Sequence, residues 1–186
     1  MKLSELLRFL KPKKDRRMKY GTMAYIYEGD KVLMMKKEER ENDPNSGFYT
    51  PPGGNLEFYE KGLDNPNGRL EAAVREVWEE TDLTCLHPTY RGMILFDNDG
   101  RIFRSWKNPN DFLVYVYSSS QYIGELSKGK NGETPVWVDK TDIRQLPKNV
   151  GDELIYQWLD DGRFFIGVIK HKGRELDKEG SFVNFC

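Results

Sequence analysis

Three glutamates crowd one turn of a predicted helix. Glu76, Glu79 and Glu80 stand at positions i, i+3 and i+4, so their side chains share one helical face. Like charges at this spacing repel each other, at a cost of about 0.2–0.5 kcal/mol for each exposed pair. A bound divalent cation would turn this cost into a gain, and hard carboxylate oxygens suit magnesium. Taken alone, the same spacing also fits an ordinary acidic surface on an amphipathic helix.

Two neighbouring features favour the metal interpretation. Gly53 and Gly54, upstream of the helix, let the backbone approach the carboxylates without a side-chain clash and can offer a carbonyl as a further oxygen ligand. Arg75 supplies a cation that can orient a carboxylate through charge-assisted hydrogen bonds. The three glutamates, the glycine pair and this arginine therefore form one candidate site.

The helix that carries the glutamates must be positioned by its apolar side. The residues at helical spacing that form this inner stripe are Leu70, Ala73, Val74 and Val77. Asp82 stands where a helix takes a residue that tolerates left-handed backbone, so we expect the helix to end there.

The rest of the chain alternates between strand and helix patterns. Residues 23–27 and 32–35 predict a hairpin, and residues 47–52 predict a short extended piece whose prolines exclude it from a central position in a sheet. Further strands are predicted over residues 93–96, 102–106, 112–117, 136–138 and 164–169, and a second helix over residues 152–159, ending at Gly162. Two helices among mixed strands indicate an α/β or α+β sandwich.

The first 18 residues are predicted to form a separate basic arm. Residues 4–10 favour a short helix, and the basic run at residues 11–19 follows it. This run is typical of a solvated linker, with contact to nucleic acid as the alternative. We expect one domain over residues 19–186.

Composition excludes several classes of protein. The 29 basic and 30 acidic residues leave no overall field that would draw the chain to nucleic acid or to an anionic membrane. No apolar run reaches the roughly 20 residues of a membrane helix, and Glu5 and Arg8 interrupt the N-terminal apolar stretch. Cys85 and Cys186 fit free thiols in a reducing compartment, so we expect a cytoplasmic location.

The segment "PPGG" followed by "LEAAVREVWEETDL" resembles the signature of the Nudix hydrolases, in which a glycine precedes an Arg-Glu-hydrophobic-x-Glu-Glu helix. The resemblance covers about residues 19–185 and implies a Nudix-type α/β/α sandwich with a central mixed β-sheet. Two positions depart from the signature: Asn67 replaces an upstream glutamate, and Asp82 replaces a glycine. Neither departure changes the three glutamates of the helix.

The resemblance implies metal-dependent hydrolysis of a nucleoside diphosphate linked to a further group. Mg²⁺, with Mn²⁺ as an alternative, would be held by Glu79 and Glu80 as principal ligands, together with Glu76 and the Gly53 carbonyl. Glu76 is either a ligand or the base that takes a proton from water, and Arg75 belongs to the same catalytic group.

Other site residues follow by position. Glu133 resembles a distal carboxylate that some family members use as an extra ligand or base; the alternative is a plain surface acid. Lys36 or Lys37 can reach a substrate phosphate, or can simply be solvated. Gly54 is expected to lie against the bound substrate.

The C-terminal part, residues 135–176, resembles the Nudix subgroup that removes oxidised purine nucleoside triphosphates. Asp152 falls in the place of an acid that reads the base, and Tyr49 or Phe48 can stack on the base. Asp152 as a simple helix cap is the alternative. The leading hypothesis is hydrolysis of 8-oxo-dGTP or a related purine triphosphate to the monophosphate and pyrophosphate.

Three other functions stay open. The signature reports little about the group beyond the diphosphate, and the extra residues at 59–67 keep ADP-ribose or a nucleotide sugar as candidate substrates. The basic arm is consistent with removal of pyrophosphate from the 5′ end of RNA. A catalytically inactive nucleotide-sensing module is the last, and the intact glutamates argue against it.

Overall fold

A computed structural model describes residues 18–39, 41, 46–57, 65–98, 111–127, 133–173 and 175–186. The predicted arm except its last residue, the predicted strand at residues 102–106 and most of the segment at 59–67 lie outside the described residues. The boundary between arm and domain therefore stays a prediction.

The described elements are two helices and eleven strands. The helices are α1 (Pro66–Thr81) and α2 (Asp152–Asp161). The strands are β1 (Met18–Glu28), β2 (Lys31–Lys37), β3 (Tyr49–Thr50), β4 (Thr84–Leu86), β5 (Thr89–Asn98), β6 (Asp111–Ser119), β7 (Gln121–Ile123), β8 (Glu133–Asp139), β9 (Phe165–Lys172), β10 (Glu175–Leu176) and β11 (Phe182–Phe185).

Nine of these strands form one mixed sheet. Its main path runs β10-β9-β5-β6-β1-β2-β3, while β11 pairs with β9 and β8 pairs with β2. The β1–β6 and β5–β9 pairs are parallel, and the other pairs are antiparallel. Strands β4 and β7 form a separate two-stranded sheet. The predicted central mixed sheet is thus confirmed.

One helix packs on each face of the sheet. Successive residues of β1 point to opposite faces, because side chains alternate along a strand. Ala24 and Ile26 pack with Val77 of α1 in one buried cluster, whereas Tyr25 packs with Ile155 of α2 in another. This arrangement is the α/β/α sandwich that the sequence predicts.

Helix α1 begins and ends where local chemistry dictates. The Asn65 side chain caps its start by accepting a 2.9 Å hydrogen bond from the Gly68 amide, and Pro66 occupies the first turn. Asp82 adopts left-handed backbone with φ 60°, as predicted, and its amide donates to the Trp78 carbonyl. Specific residues therefore fix both the start and the end of helix α1.

The buried face of α1 differs slightly from the predicted stripe. Ala73 and Val77 are fully buried as predicted, but Leu70 and Val74 are only partly buried. Ala72 is fully buried instead. Leu70 and Val74 nevertheless pack against the buried clusters, so the predicted stripe faces the sheet.

Helix α2 confirms the second predicted helix and its end at Gly162, which has φ 82°. Its buried residues include Ile155, Trp158 and the unpredicted Tyr156. Neither described helix combines the length and apolar character needed to cross a membrane.

Candidate active site

The glycine segment is held against the edge of β1. The Thr22 amide donates to the Gly54 carbonyl and the Ala24 amide donates to the Pro52 carbonyl, both at 2.9 Å. Backbone polar groups alternate in direction along an extended segment, so Gly53 lies between two residues whose carbonyls are bound to β1. Its amide points elsewhere and donates a 3.0 Å hydrogen bond to Oε2 of Glu80. One residue thus joins the edge of the sheet to the acidic helix.

Both glycines are required by close contacts. A Cβ atom on Gly53 would lie 2.2 Å from the Thr22 carbonyl oxygen, which is fixed backbone. A Cβ atom on Gly54 would lie 2.5 Å from the carboxyl group of Glu76. The glycine pair therefore lets the β1 backbone and the Glu76 carboxyl group approach this segment closely.

Arg75 connects two of the three helix carboxylates. Its Nη1 lies 3.0 Å from Oε1 of Glu76 and 3.5 Å from Oε2 of Glu79, and its Nη2 donates to the Asn55 carbonyl at 3.3 Å. Asn55 follows the glycine pair directly, so the guanidinium also joins the glycine segment to α1. The structure thus gives Arg75 the geometry for orienting carboxylates that the sequence predicts.

A fourth carboxylate comes from strand β8. Glu133 begins β8, and its register with Lys37 brings it towards α1. Its Oε1 lies 3.8 Å from Lys37 Nζ. Burial, together with repulsion from Glu133, Glu76 and Glu79, raises the pKa of Glu80 to about 8, and the Gly53 amide opposes this shift. The four carboxyl groups thus repel one another, and a positive charge bound among them would reduce this repulsion.

The clustered acids stay candidate ligands for a divalent cation. Among the described residues, no three His, Cys, Asp or Glu side chains converge in metal-binding geometry. Arg75 and the Gly53 amide bind the carboxylates instead. The clustered donors are all carboxylate oxygens, which are the donors that hard divalent cations prefer.

Two adjacent lysines on β2 face opposite sides of the sheet. Lys37 pairs with Glu133, on the side of the acidic helix. Lys36 lies opposite Tyr49 in the β2–β3 pair, with its Nζ 5.9 Å from the centroid of the Tyr49 ring. The sequence left these two lysines as alternatives, and the structure gives them different surroundings.

Asp152 lies at the start of α2, near the Tyr49 strand. The Tyr49 amide donates to the Pro147 carbonyl at 2.9 Å, which joins β3 to the segment that leads into α2. Asp152 is only 4% exposed, and its Oδ2 accepts hydrogen bonds from the Asn149 backbone amide at 3.2 Å and from Asn149 Nδ2 at 3.3 Å. Burial raises the pKa of Asp152 to about 6, and the Asn149 bonds oppose this shift.

Asp152 does not cap its helix. The N-cap is Gly151, and no side chain makes a cap hydrogen bond there. Both hydrogen bonds from described residues fall on Oδ2 of Asp152, which leaves Oδ1 for a ligand. The capping alternative raised by the sequence is therefore wrong.

Two residues near these groups had no signal in the sequence. Asn149 holds the Asp152 carboxylate, but an asparagine before a helix is usually assigned to a turn. Thr22 has a buried hydroxyl without a hydrogen-bond partner among the described residues, beside the glycine segment. The structure reveals Asn149 through a local contact with Asp152 and Thr22 through its burial.

The described residues thus form a mixed sheet between two helices, with a glycine segment bound to the acidic helix. A family model, the NUDIX domain, matches residues 18–159. The chain belongs to the NUDIX domain family. It is therefore a pyrophosphohydrolase of nucleoside diphosphate-linked substrates, and Nudix hydrolases generally use divalent metal ions.

Similar proteins agree with this assignment. The uncharacterized Nudix hydrolase YvcI of Bacillus subtilis (strain 168) is 27% identical over 146 residues, which cover 76% of this chain and 79% of that protein. The MutT protein of Bacillus halodurans has a similar structure, with TM-score 0.70, 24% identity and coverage of 89% of this chain and 97% of that one. The NUDIX domain of Shewanella oneidensis NrtR, solved with ADP ribose, gives TM-score 0.57 at 16% identity and covers 87% and 99% of the two chains.

Proposed function

We propose that this protein hydrolyses a purine nucleoside triphosphate, with an oxidised form such as 8-oxo-dGTP preferred, to the monophosphate and pyrophosphate. The observation that carries the proposal is the buried carboxyl group of Asp152, which does not cap its helix. The segment that leads into this helix is bound to the Tyr49 strand by a backbone hydrogen bond from Tyr49 to Pro147. A buried acid with one open oxygen can pair with donors on a purine edge, and a tyrosine face can stack on the base.

The acidic cluster would hold the divalent metal. Glu79 and Glu80 are the principal ligands in this proposal, with Glu76 and the Gly53 carbonyl beside them, and Mg²⁺ is the expected ion, with Mn²⁺ able to replace it. A bound divalent cation supplies positive charge against phosphate oxygens and lowers the pKa of water.

The other residues position the reacting groups and accept the proton. Water attacks a phosphorus atom, one phosphorus–oxygen bond of the diphosphate breaks, and a carboxylate takes the proton from water. Glu76 and Glu133 are the candidate bases. Arg75 holds Glu76 in place, and Gly54 lets the Glu76 carboxyl group lie against the glycine segment, where the substrate would also bind.

A substrate panel with product analysis tests the proposal. The purified protein is given Mg²⁺ and, in turn, dGTP, 8-oxo-dGTP, ADP-ribose and a nucleotide sugar, and products are separated by ion-exchange chromatography. We expect the largest kcat/KM for 8-oxo-dGTP, with pyrophosphate as product. A preference for ADP-ribose would overturn the substrate assignment while leaving the chemistry intact.

Two variants separate chemistry from base recognition. Glu79→Gln should reduce turnover of every substrate by about 100-fold or more, because it removes a metal ligand. Asp152→Ala should reduce kcat/KM for the purine substrates and leave the metal requirement unchanged. Glu125→Gln, which changes an exposed acid, is the control. An equal loss of turnover in this variant would show that the Glu79 effect is not specific.

A further inference from the structure

A cavity lies on the α2 face of the sheet, away from the four clustered glutamates. Its volume is about 290 Å³, at the small end of the range for ligand pockets. It lies where β1 ends and β2 begins, since Tyr27 and Val32 both line it. Val32 and Lys36 are four residues apart on β2, which separates the cavity from the lysine by about 13 Å at ~3.3 Å per residue. None of the four clustered glutamates lines this cavity.

The floor of the cavity is apolar and partly aromatic. Val32, Ile143 and Tyr156 line it and are at least 90% buried. Tyr25 packs against Tyr156 in an edge-to-face arrangement, with ring centroids 6.3 Å apart. These rings and branched side chains form a surface that suits a flat, apolar body.

Two cations at the rim have no carboxylate partner among the described residues. Arg91 donates to the Gly162 carbonyl at 2.7 Å. Lys140 donates to the Gly29 carbonyl at 2.8 Å, and its Nζ lies 4.7 Å from the centroid of the Tyr27 ring. Both side chains therefore keep their positive charge available to a ligand.

The third rim cation, Arg144, is different. Its guanidinium lies 2.7 Å from Asp160 and 3.2 Å from Glu153, so two carboxylates already neutralise it. The positive charge of the rim is thus concentrated at Arg91 and Lys140.

The wall also contains two polar atoms that packing alone does not explain. The hydroxyl oxygens of Tyr25 and Tyr156 are buried and have no hydrogen-bond partner among the described residues. Burying such a hydroxyl costs stability, and phenylalanine would give the same packing without this cost. Both tyrosines line the cavity.

We infer that this cavity is a second ligand site, which takes a small organic anion with a flat apolar body. The body lies on the floor formed by Val32, Ile143 and Tyr156, and the acidic group meets Arg91 and Lys140 at the rim. The site does not depend on the hydrolytic residues, so it can be tested whether or not the proposed substrate is correct.

Two fluorescent probes of equal shape and different charge test this inference. Anilinonaphthalene sulfonate carries an aromatic body and one negative charge, and phenylnaphthylamine carries the same body without the charge. We expect the folded protein to bind the sulfonate at one site. The double variant Arg91→Gln/Lys140→Gln should weaken sulfonate binding by at least tenfold and leave binding of the neutral probe within twofold.

Matched variants identify the location. Lys178→Gln, which changes an exposed lysine elsewhere, should leave sulfonate binding unchanged. Leu159→Trp should fill the cavity from α2 and abolish binding of both probes. Glu79→Gln should bind the sulfonate like the unchanged protein, because it lies on the other face. Thermal melting confirms that each variant is folded before titration.

Two results would overturn the inference. One is absence of stoichiometric sulfonate binding to the folded, unchanged protein. The other is equal sulfonate affinity in the folded Arg91→Gln/Lys140→Gln variant, which would place the probe elsewhere.

Discussion

The backbone amide of Gly53 and the carboxyl group of Glu80 are joined by a 3.0 Å hydrogen bond across 27 positions of the chain. One partner belongs to a segment paired with β1 and the other to helix α1, so this contact sets the distance between the glycine pair and the acidic face. The Glu80 carboxyl group is largely buried and accepts this hydrogen bond from the Gly53 amide. The other carboxylates of the cluster repel it. The position of this one bond therefore controls how the candidate site is assembled.

The two glycines should respond differently to the same substitution. Gly53→Ala forces a Cβ against the Thr22 backbone, so we expect a loss of about 1–3 kcal/mol in the free energy of unfolding together with loss of turnover. Gly54→Ala meets only the movable Glu76 side chain, so turnover should fall at least tenfold while the free energy of unfolding changes by less than about 1 kcal/mol. Urea unfolding and steady-state kinetics measure the two effects. Equal loss of stability in both variants would contradict this account.

Replacing Arg75 should misplace two carboxylates at once. Arg75→Gln removes the cation that contacts Glu76 and Glu79, and misplacement by about 1 Å can cost about 100-fold in rate. We expect kcat/KM to fall by about 10- to 100-fold and the Mg²⁺ concentration for half-maximal rate to rise. Arg69→Gln, on the same helix but stacked on Tyr115, is the control and should keep its rate. A normal metal requirement in Arg75→Gln would show that the arginine has no positioning role.

Neighbouring lysines on β2 should affect different kinetic parameters. Lys37 contacts Glu133, so Lys37→Ala should lower kcat. If Glu133 is the base, Glu133→Gln should lower kcat by about 100-fold or more. Lys36 lies beside Tyr49, so Lys36→Ala should raise KM for the nucleotide with little change in kcat. Steady-state kinetics over a range of nucleotide concentrations separates the two parameters. Identical effects from both lysines would contradict their placement on opposite faces.

Asp152 should make the protein less stable as the pH rises. Its folded pKa of about 6 lies above the usual 3.8, so between these values the folded state binds more protons than the unfolded state. The destabilisation is absent below about pH 4, grows as the pH rises to 6, and is complete above 6, at about 3 kcal/mol. Asp152→Asn should therefore be more stable than the unchanged protein at pH 7.5 and about equally stable at pH 4.

Urea unfolding at the two pH values measures this difference. Asp142→Asn, at an exposed position, is the control and should change stability equally at both pH values. If Asp152→Asn is no more stable than the unchanged protein at pH 7.5, the burial of Asp152 does not destabilise the folded state. A gain in stability combined with a lower kcat/KM for purines would show that the acid is kept for binding.

Local sequence signals predicted the helices and the hairpin well. Helix α1 ends at Asp82 and helix α2 at Gly162, because each end requires left-handed backbone that few residues adopt. The strand at β9 was also predicted. Its parallel pairing with β5 was not, because pairing partners far apart in sequence leave no local pattern. Strands β4 and β7, with three residues each, are too short to show an alternation.

For the candidate site, the residue types were predictable and their contacts were not. The spacing of Glu76, Glu79 and Glu80 fixes a shared face from helix geometry alone. The Gly53–Glu80 hydrogen bond depends on how the glycine segment pairs with β1, and Glu133 arrives through the register of β8 with β2. Both are tertiary effects, which is why the sequence could only offer Glu133 by resemblance.

The parallel pairing of β1 with β6 has a consequence for synthesis of the chain. Met18 pairs with Asp111 and Ile26 with Ser119, so β1 leaves the ribosome long before its neighbour is translated. Contacts between distant segments form late, because loop closure must precede them. The glycine segment that binds Glu80 is itself paired with β1. We therefore expect nascent chains that lack β6 to be sensitive to protease and to have no hydrolytic activity until that strand emerges.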